Sequence, residues 1–293
     1  QYMLFFTQKG KCFWMRVFEI PEGSKTSKGR AIQNLINIEQ DDEVKAFICT
    51  QDLKDEEYIN SHYVIMATKN GQVKKTSLEQ YSRPRTNGIN AITIKDGDEL
   101  LEAKLTTGDS QVMLAVKSGK AIRFEEEKTR SMGRNASGVR GIRLNSDNDE
   151  VIGMITINES ESDVLVVSEN GYGKRSSLED YRITNRGGKG VKTISVTEKT
   201  GSLVAIKNVT DSDDLMIINK SGIAIRLEVD NLRVMGRATQ GVRLIKVRDG
   251  DAIAAVAKVM SDDDDIEIDE DGNVIVPENN ANENDSEITK EEE

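Results

Sequence analysis

Histidine occurs once in this chain, at His62, and cysteine twice, at Cys12 and Cys49. A single histidine leaves no histidine-based catalytic triad or metal cluster to assemble. Two cysteines without metal-ligand spacing read as reduced, buried small hydrophobes and exclude a disulfide framework. Aromatic residues make up only 4% of the chain and are not interleaved with its basic segments. Recognition of single strands by base stacking, which needs exposed rings, is therefore disfavoured. No apolar stretch approaches the roughly 20 residues that span a bilayer as a helix, and no signal peptide is present. Helical periodicity is nearly absent, with single turns expected at residues 78–81 and 178–181.

Positive charge also looks scarce, since the formal net charge is −11. Its distribution says otherwise. Residues 262–293 hold fifteen of the 51 acids and one of the 40 bases, so residues 1–261 carry 39 bases against 36 acids. An acidic tail, expected to be disordered, masks a mildly basic body. The chain opens at Gln1 inside an apolar run with no initiator methionine, and is expected to be a piece of a longer polypeptide.

What is abundant is repetition. A short apolar run ends in a turn glycine at Gly10, Gly71, Gly119, Gly171 and Gly222, and a second glycine follows at Gly29, Gly88, Gly138, Gly190 and Gly241. The spacings are 19, 17, 19, 19 and 19 residues. A period near 50 residues marks supersecondary units that bury their apolar faces only against their neighbours. Within each unit the first strand is predicted at 2–6, 63–67, 112–116, 164–167 and 215–218. It folds back through a two-residue turn such as Asn70-Gly71. Third strands are predicted at 31–32, 91–94, 141–144, 193–196 and 244–245. Acidic turns, read as solvated, precede fourth strands at 44–49, 100–105, 151–155, 203–206 and 253–256. Four antiparallel strands per unit make a propeller blade. The expected organisation is an all-β ring over residues 1–260, with repeats at about 1–49, 62–106, 111–157, 163–208 and 214–259, and a tail at 261–293. Residues 49–61 read as a surface loop, and Trp14 as core.

Cations recur at fixed places in these units. Lys75, Arg123, Arg175 and Arg226 follow the turn glycine by four residues; Trp14 takes that place in the first repeat. Lys25, Arg134, Arg186 and Arg237 precede the second glycine by four, with Arg85 at three in the second repeat. Repeats copy their surface as well as their core, so such cations could be inherited solvated charge. Equivalent loops of rigid blades nevertheless lie on one rim, and a curved band of cations suits the phosphates of a bent duplex. With no helix for the major groove, sequence-tolerant binding and bending is the expected mode. The densest element is residues 184–190, Thr-Asn-Arg-Gly-Gly-Lys-Gly. Here Arg186, Gly187, Gly188, Lys189 and Gly190 would let backbone amides and two cations approach an anion. It lacks the strand-to-helix context of a nucleotide loop. A propeller that serves as a protein-interaction scaffold remains the alternative class; it would need an exposed apolar patch.

Several phrases closely resemble the C-terminal domain of the DNA gyrase A subunit. They are residues 28–35 (Lys-Gly-Arg-Ala-Ile-Gln-Asn-Leu), Met132-Gly133-Arg134 with residues 138–142, residues 170–175 with Lys174 and Arg175, and residues 234–237 with residues 240–242. The resemblance covers residues 1 to about 259. It implies a β-pinwheel, a propeller-like ring whose blades exchange strands and whose rim wraps double-stranded DNA, with Lys28 among the contacts. It implies partnership with the rest of the gyrase A polypeptide and with gyrase B, in an assembly of two copies of each in the bacterial cytoplasm at the nucleoid. The cleaving tyrosine, ATP and Mg would belong to other domains, so this piece is expected to carry no catalytic residue and no cofactor. The six tyrosines here read as packing or rim residues. The family's wrapping motif, Gln-Arg-Arg-Gly-Gly-Lys-Gly, usually sits in the first of six blades. The nearest match here is in the fourth of five repeats and has Thr184 and Asn185 for Gln and Arg, so the motif itself is expected upstream of Gln1. The related C-terminal domain of topoisomerase IV is the alternative within the family.

Overall fold

The computed structural model describes residues 1–24, 27–158, 162–248, 250–260, 267–268 and 274–275. Repeat one supplies β1 (Tyr2–Thr7), β2 (Lys11–Arg16), β3 (Val44–Thr50) and a helix α1 (Glu56–Ser61). Repeat two supplies β4 (Tyr63–Thr68), β5 (Gln72–Ser77), β6 (Ile89–Asn90) and β7 (Leu100–Thr106). Repeat three runs β8 (Gln111–Val116), β9 (Lys120–Glu125), β10 (Val139–Arg140) and β11 (Val151–Ile157). Repeat four runs β12 (Asp163–Ser168), β13 (Tyr172–Ser177), β14 (Val191–Lys192) and β15 (Leu203–Val209). Repeat five runs β16 (Asp213–Asn219), β17 (Ala224–Glu228), β18 (Val242–Arg243) and β19 (Ile253–Met260).

The sheets cut across the repeats. Their strand orders are β3-β1-β2-β6, β10-β5-β4-β7, β11-β8-β9-β14, β15-β12-β13-β18 and β17-β16-β19. Each of the first four blades thus takes its outermost strand from the repeat that follows. The long fourth strands form the inner edges, with β3 packed on β7, β7 on β11, β11 on β15 and β15 on β19. The result is a five-bladed, propeller-like ring of antiparallel sheets with strand exchange.

Strand one of repeats two, three and four is apolar on both sides because blades flank it on both sides. Val64 and Met66 enter the cluster shared with blade one, while Ile65 and Ala67 enter the cluster shared with blade three. The same division places Val164 and Val166 towards blade three and Leu165 and Val167 towards blade five.

The structure corrects several expectations. The hairpins have three-residue loops: Val116 pairs with Lys120, and Gly119 closes the loop at φ +81° with its N–H on Val116 O. The glycine is needed as the left-handed third residue. The third strands are two residues long and begin two residues before the predicted segments. Those segments instead turn inward, with Ala91 and Ile92 donating to Gly10 O, and Thr193 and Ile194 donating to Gly119 O. In repeat one, Ile32–Asn34 is a 3-10 turn rather than a strand. The expected surface loop at 49–61 carries α1, capped by the Asp55 side chain, which accepts from Glu57 N and Tyr58 N, and Leu53 and Ile59 are buried beside Tyr81. Cys12 is buried but Cys49 is exposed, because β3 presents alternate residues away from the core.

The acidic turns are structural clamps rather than solvated tips. Asp42, Asp98, Asp149 and Asp251 each accept from a hairpin-loop N–H, those of Lys9, Asn70, Ser118 and Ser221, at 2.9–3.2 Å. In repeat four Asn170 N donates to Thr200 O instead. Within the tail, β20 (Glu267–Ile268) pairs with β21 (Val274–Ile275). The rest of 261–293 lies outside the described residues.

Candidate nucleic-acid interface

The outer edge is built by the loops that precede the second glycines. Each crosses the second strand of the preceding repeat. Met132 N donates to Lys75 O, Thr184 N to Arg123 O and Met235 N to Arg175 O, at 2.8, 2.9 and 2.8 Å. The loop then closes on a glycine that no other residue could replace without movement. At Gly138, Gly190 and Gly241, φ is +84°, +70° and +78°, and a Cβ would stand 2.4–2.5 Å from the carbonyl oxygens of Val73, Ala121 and Gly173. Spacing of 19 residues therefore reflects the reach of one loop over one strand.

The arginine four residues before each glycine fastens this loop to the blade behind it. Arg134, Arg186 and Arg237 donate through Nη1 to Asn90 O, Arg140 O and Lys192 O, the last residues of successive outer strands, at 3.4, 3.1 and 2.8 Å. Arg186 and Arg237 also donate through Nε to Lys128 O and Asp180 O, at 2.8 and 3.0 Å. All three arginines are half-exposed. The two bonds of Arg186 use two of five N–H groups, so a fixed, charged donor face is left for an external anion.

The cations four residues after the turn glycine are placed differently from expectation. Lys75 is buried against Glu126, 3.5 Å away, and over the Tyr63 ring. Arg123 donates to Gln111 and to the carbonyls of Leu178 and Tyr181. Arg175 is buried between Asp163 and Asp211, both at 2.6 Å. Arg226 is exposed, with its Nε held by Asp214. These side chains are taken up by acids, carbonyls and an amide of the chain itself. Lys75, Arg123 and Arg175 are ties rather than free rim charges, whereas Arg226 keeps an exposed guanidinium.

Lys174 is likewise corrected from rim to interior. It donates to Gly236 O at 2.6 Å, and burial pushes its pKa down to about 8. Lys74, at the same position two blades earlier, donates to Ala91 O and Arg134 O, and burial lowers it to about 7. In blade three the position is Ile122. There the glycine-rich loop overlies a cavity of about 230 Å³ lined by Ile122, Arg123, Arg182, Asn185 and Lys189. The loop of residues 184–190 thus rests on Thr184 and Arg186 without a lysine beneath it.

Of the remaining expected contacts, Lys189, Arg85 and Lys28 are exposed, Gly187 and Gly190 are half-buried and Gly188 is exposed. Lys25 lies outside the described residues. Sequence reasoning missed one row. Arg130, Arg182 and Arg233 each stand eight residues before a second glycine, all exposed, and none is in an ion pair among the described residues. The identical spacing was the signal. Together with Arg134, Arg186 and Arg237 they place two arginines at each of three successive loops. No group of three or more metal-ligating side chains, and no helix long and apolar enough to cross a membrane, occurs among the described residues. Tyr81 and Tyr181 are buried, and burial raises both phenol pKa values, so neither is a poised nucleophile.

A strand-exchanging propeller with a row of arginine-bearing loops on its outer edge is the class of protein that the geometry defines. The family model for the DNA gyrase C-terminal domain, described as a beta-propeller, matches residues 1–51, 62–107, 111–158, 162–210 and 213–260. The DNA gyrase A subunit of Staphylococcus epidermidis (strain ATCC 12228 / FDA PCI 1200) is 45% identical over 264 residues, covering 90% of this chain and 29% of that protein. Its counterpart from Staphylococcus aureus (strain MRSA252) is 42% identical over 274 residues, covering 93% and 30%. Among solved structures, a C-terminal domain of DNA topoisomerase IV superposes with TM-score 0.80 at 24% identity, covering 89% of this chain and 80% of that one. A DNA gyrase A C-terminal domain superposes with TM-score 0.75 at 24% identity, covering 88% and 82%. The chain belongs to the DNA gyrase C-terminal domain family. It spans about 30% of the length of its curated relatives.

Proposed function

We propose that this chain binds and bends duplex DNA along its outer edge, as the non-catalytic wrapping domain of a DNA gyrase A polypeptide. The observation that carries the reading is the triplicate arrangement of Arg134, Arg186 and Arg237, each fixed by carbonyls of the preceding outer strand and flanked by exposed Arg130, Arg182 and Arg233. Fixed donors on a convex edge meet phosphates at successive turns of a bent duplex without reading bases. In the parent enzyme the wrap would set the handedness of strand passage, so that ATP-dependent cycles introduce negative supercoils. The catalytic tyrosine, the ATPase and Mg would be supplied by the rest of gyrase A and by gyrase B, in an assembly of two of each at the bacterial nucleoid. This piece would hold no cofactor. The topoisomerase IV domain shares the fold; the 42–45% identity to gyrase sequences favours gyrase.

Binding to a duplex of about 40 base pairs, measured over a range of salt, tests this. Replacing Arg130, Arg182 and Arg233 by Gln should lower the log–log salt slope by about 2 to 3, near 0.9 for each phosphate no longer neutralised. An unchanged slope and affinity would return the row to inherited surface charge.

A further inference from the structure

We propose that the corner where the blade-four hairpin meets β18 is a separate phosphate-binding site, formed by Lys199, Arg243, Lys246 and Arg248 around Tyr172. It rests on the duplex-binding reading and extends it to a part of the edge away from the glycine-rich loops.

Tyr172 follows the turn glycine of blade four and pairs with Arg243 across β13 and β18. Its hydroxyl accepts from Arg243 Nη2 at 2.8 Å, and the Arg243 guanidinium and the Lys199 ammonium each lie 5.3 Å from its ring centroid. Lys199 is positioned by the Asn170 side chain, which donates to Glu198 O and Lys199 O. Beside them opens a cavity of about 410 Å³ that Lys246 and Arg248 also line. Its one acid is Asp251, whose carboxylate is already taken up by Ser221, Asn219 and the Ala252 N–H. Four cations therefore converge with no acid paired to them among the described residues.

The lysines at the hairpins of blades one to three are ion-paired within the chain. Lys9 and Lys11 meet Glu39 and Asp41 at 2.6–3.1 Å, Lys69 meets Glu99 at 2.6 Å, and Lys117 meets Glu150 at 3.4 Å. In blade four that place holds Glu169 and Ser202, and the pairing cation is gone. Like charges held together repel, and an external polyanion relieves them. Arginine and lysine around a cavity of this size suit phosphate, the guanidinium supplying a two-pronged donor. Tyr172 is only 7% exposed and its ring is covered by its cations, so no base stacks there. The ligand is the phosphodiester backbone. Tyr172 lies two residues along β13 from Lys174, which anchors the Gly236 loop, a distance of about 7 Å at roughly 3.3 Å per residue. One duplex can therefore touch both the loop and the corner.

The test replaces Lys199, Lys246 and Arg248 by Gln and keeps Arg243, which packs on Tyr172. Wild type and variant are compared for binding a duplex of about 40 base pairs across salt and for binding inorganic tripolyphosphate, and amine acylation of Lys199 and Lys246 is followed in the wild type with and without duplex. The expected result is a slope lower by about 2 to 3 in the variant, unchanged thermal unfolding, and protection of both lysines by duplex. If wild type binds duplex and the variant matches it in slope and affinity, the corner inference falls while the duplex reading stands. Tripolyphosphate binding that is lost in the variant while duplex binding is kept would assign the corner to free oligophosphate and overturn the duplex contact. Wild type that binds no duplex would overturn both.

Discussion

Replacing Lys74 by Met should remove a pH dependence of stability that the wild-type chain carries. Lys74 is fully buried between blades one and two, on the face of Met66, and its ammonium donates to Ala91 O and Arg134 O. Burial lowers its pKa from 10.5 to about 7. The unfolded chain therefore holds this proton up to about pH 10.5, while the folded chain releases it near pH 7. Between those values the unfolded state binds more protons, so folding stability rises with pH. Two ordinary titration curves with those midpoints give a gain of roughly 2.5 kcal/mol between about pH 6 and pH 9. The neutral amine still has two N–H groups for its two carbonyls, so the gain need not cost the bonds. Methionine has similar length and no titration. Urea unfolding of both proteins at about pH 6, 7.5 and 9 isolates the lysine, since the other groups cancel in the difference. The difference, wild type minus variant, should grow by about 2.5 kcal/mol over that range. Parallel pH curves would show that the ammonium is not held as described and would refute the reasoning.

Arg175→Met should destabilise by roughly 3 kcal/mol, because Asp163 and the Val229 carbonyl lose a partly buried partner, yet leave the salt slope of DNA binding unchanged. A lower slope with intact stability would restore Arg175 to the rim. Gly190→Ala should cost well over ~2 kcal/mol, since its Cβ would lie 2.5 Å from Ala121 O at positive φ, whereas Gly29→Ala, with open space around it, should cost only about 1 kcal/mol; denaturant midpoints of the two variants decide it. Ending the chain at Met260 removes a tethered segment of net charge −14 and should tighten DNA binding at low salt, an advantage that shrinks as salt is added. Equal low-salt affinities with and without the tail would rule out competition.

The repeat and its blade were legible because Gly71 and Gly88, and their counterparts, answer to backbone demands that only glycine meets. The first and fourth strands were legible as short apolar runs bounded by turns. The exchange of third strands was not, because the partner of Val139 is Val73 of another repeat and both read as ordinary β residues. Spacing also could not separate Arg123 from Arg186. Both recur at a fixed distance from a glycine, but one side chain enters the space between blades and the other stays half in water. Which way a strand residue points depends on the pairing register, and the register is set across repeats. The acidic turns were misread for a related reason: Asp42 and Asp149 look solvated in sequence, and only the folded hairpin brings loop N–H groups to them.

The most direct test of the central claim is topological. A nicked circular plasmid is incubated with the chain, sealed with ligase, freed of protein, and its linking number is read against a control sealed without protein. Wrapping along the convex edge predicts a shift of the topoisomer distribution in one direction, increasing with protein concentration and reduced when Arg186 and Lys189 are replaced by Ala. Tight binding of duplex at the same concentrations with no change in linking number would contradict the account.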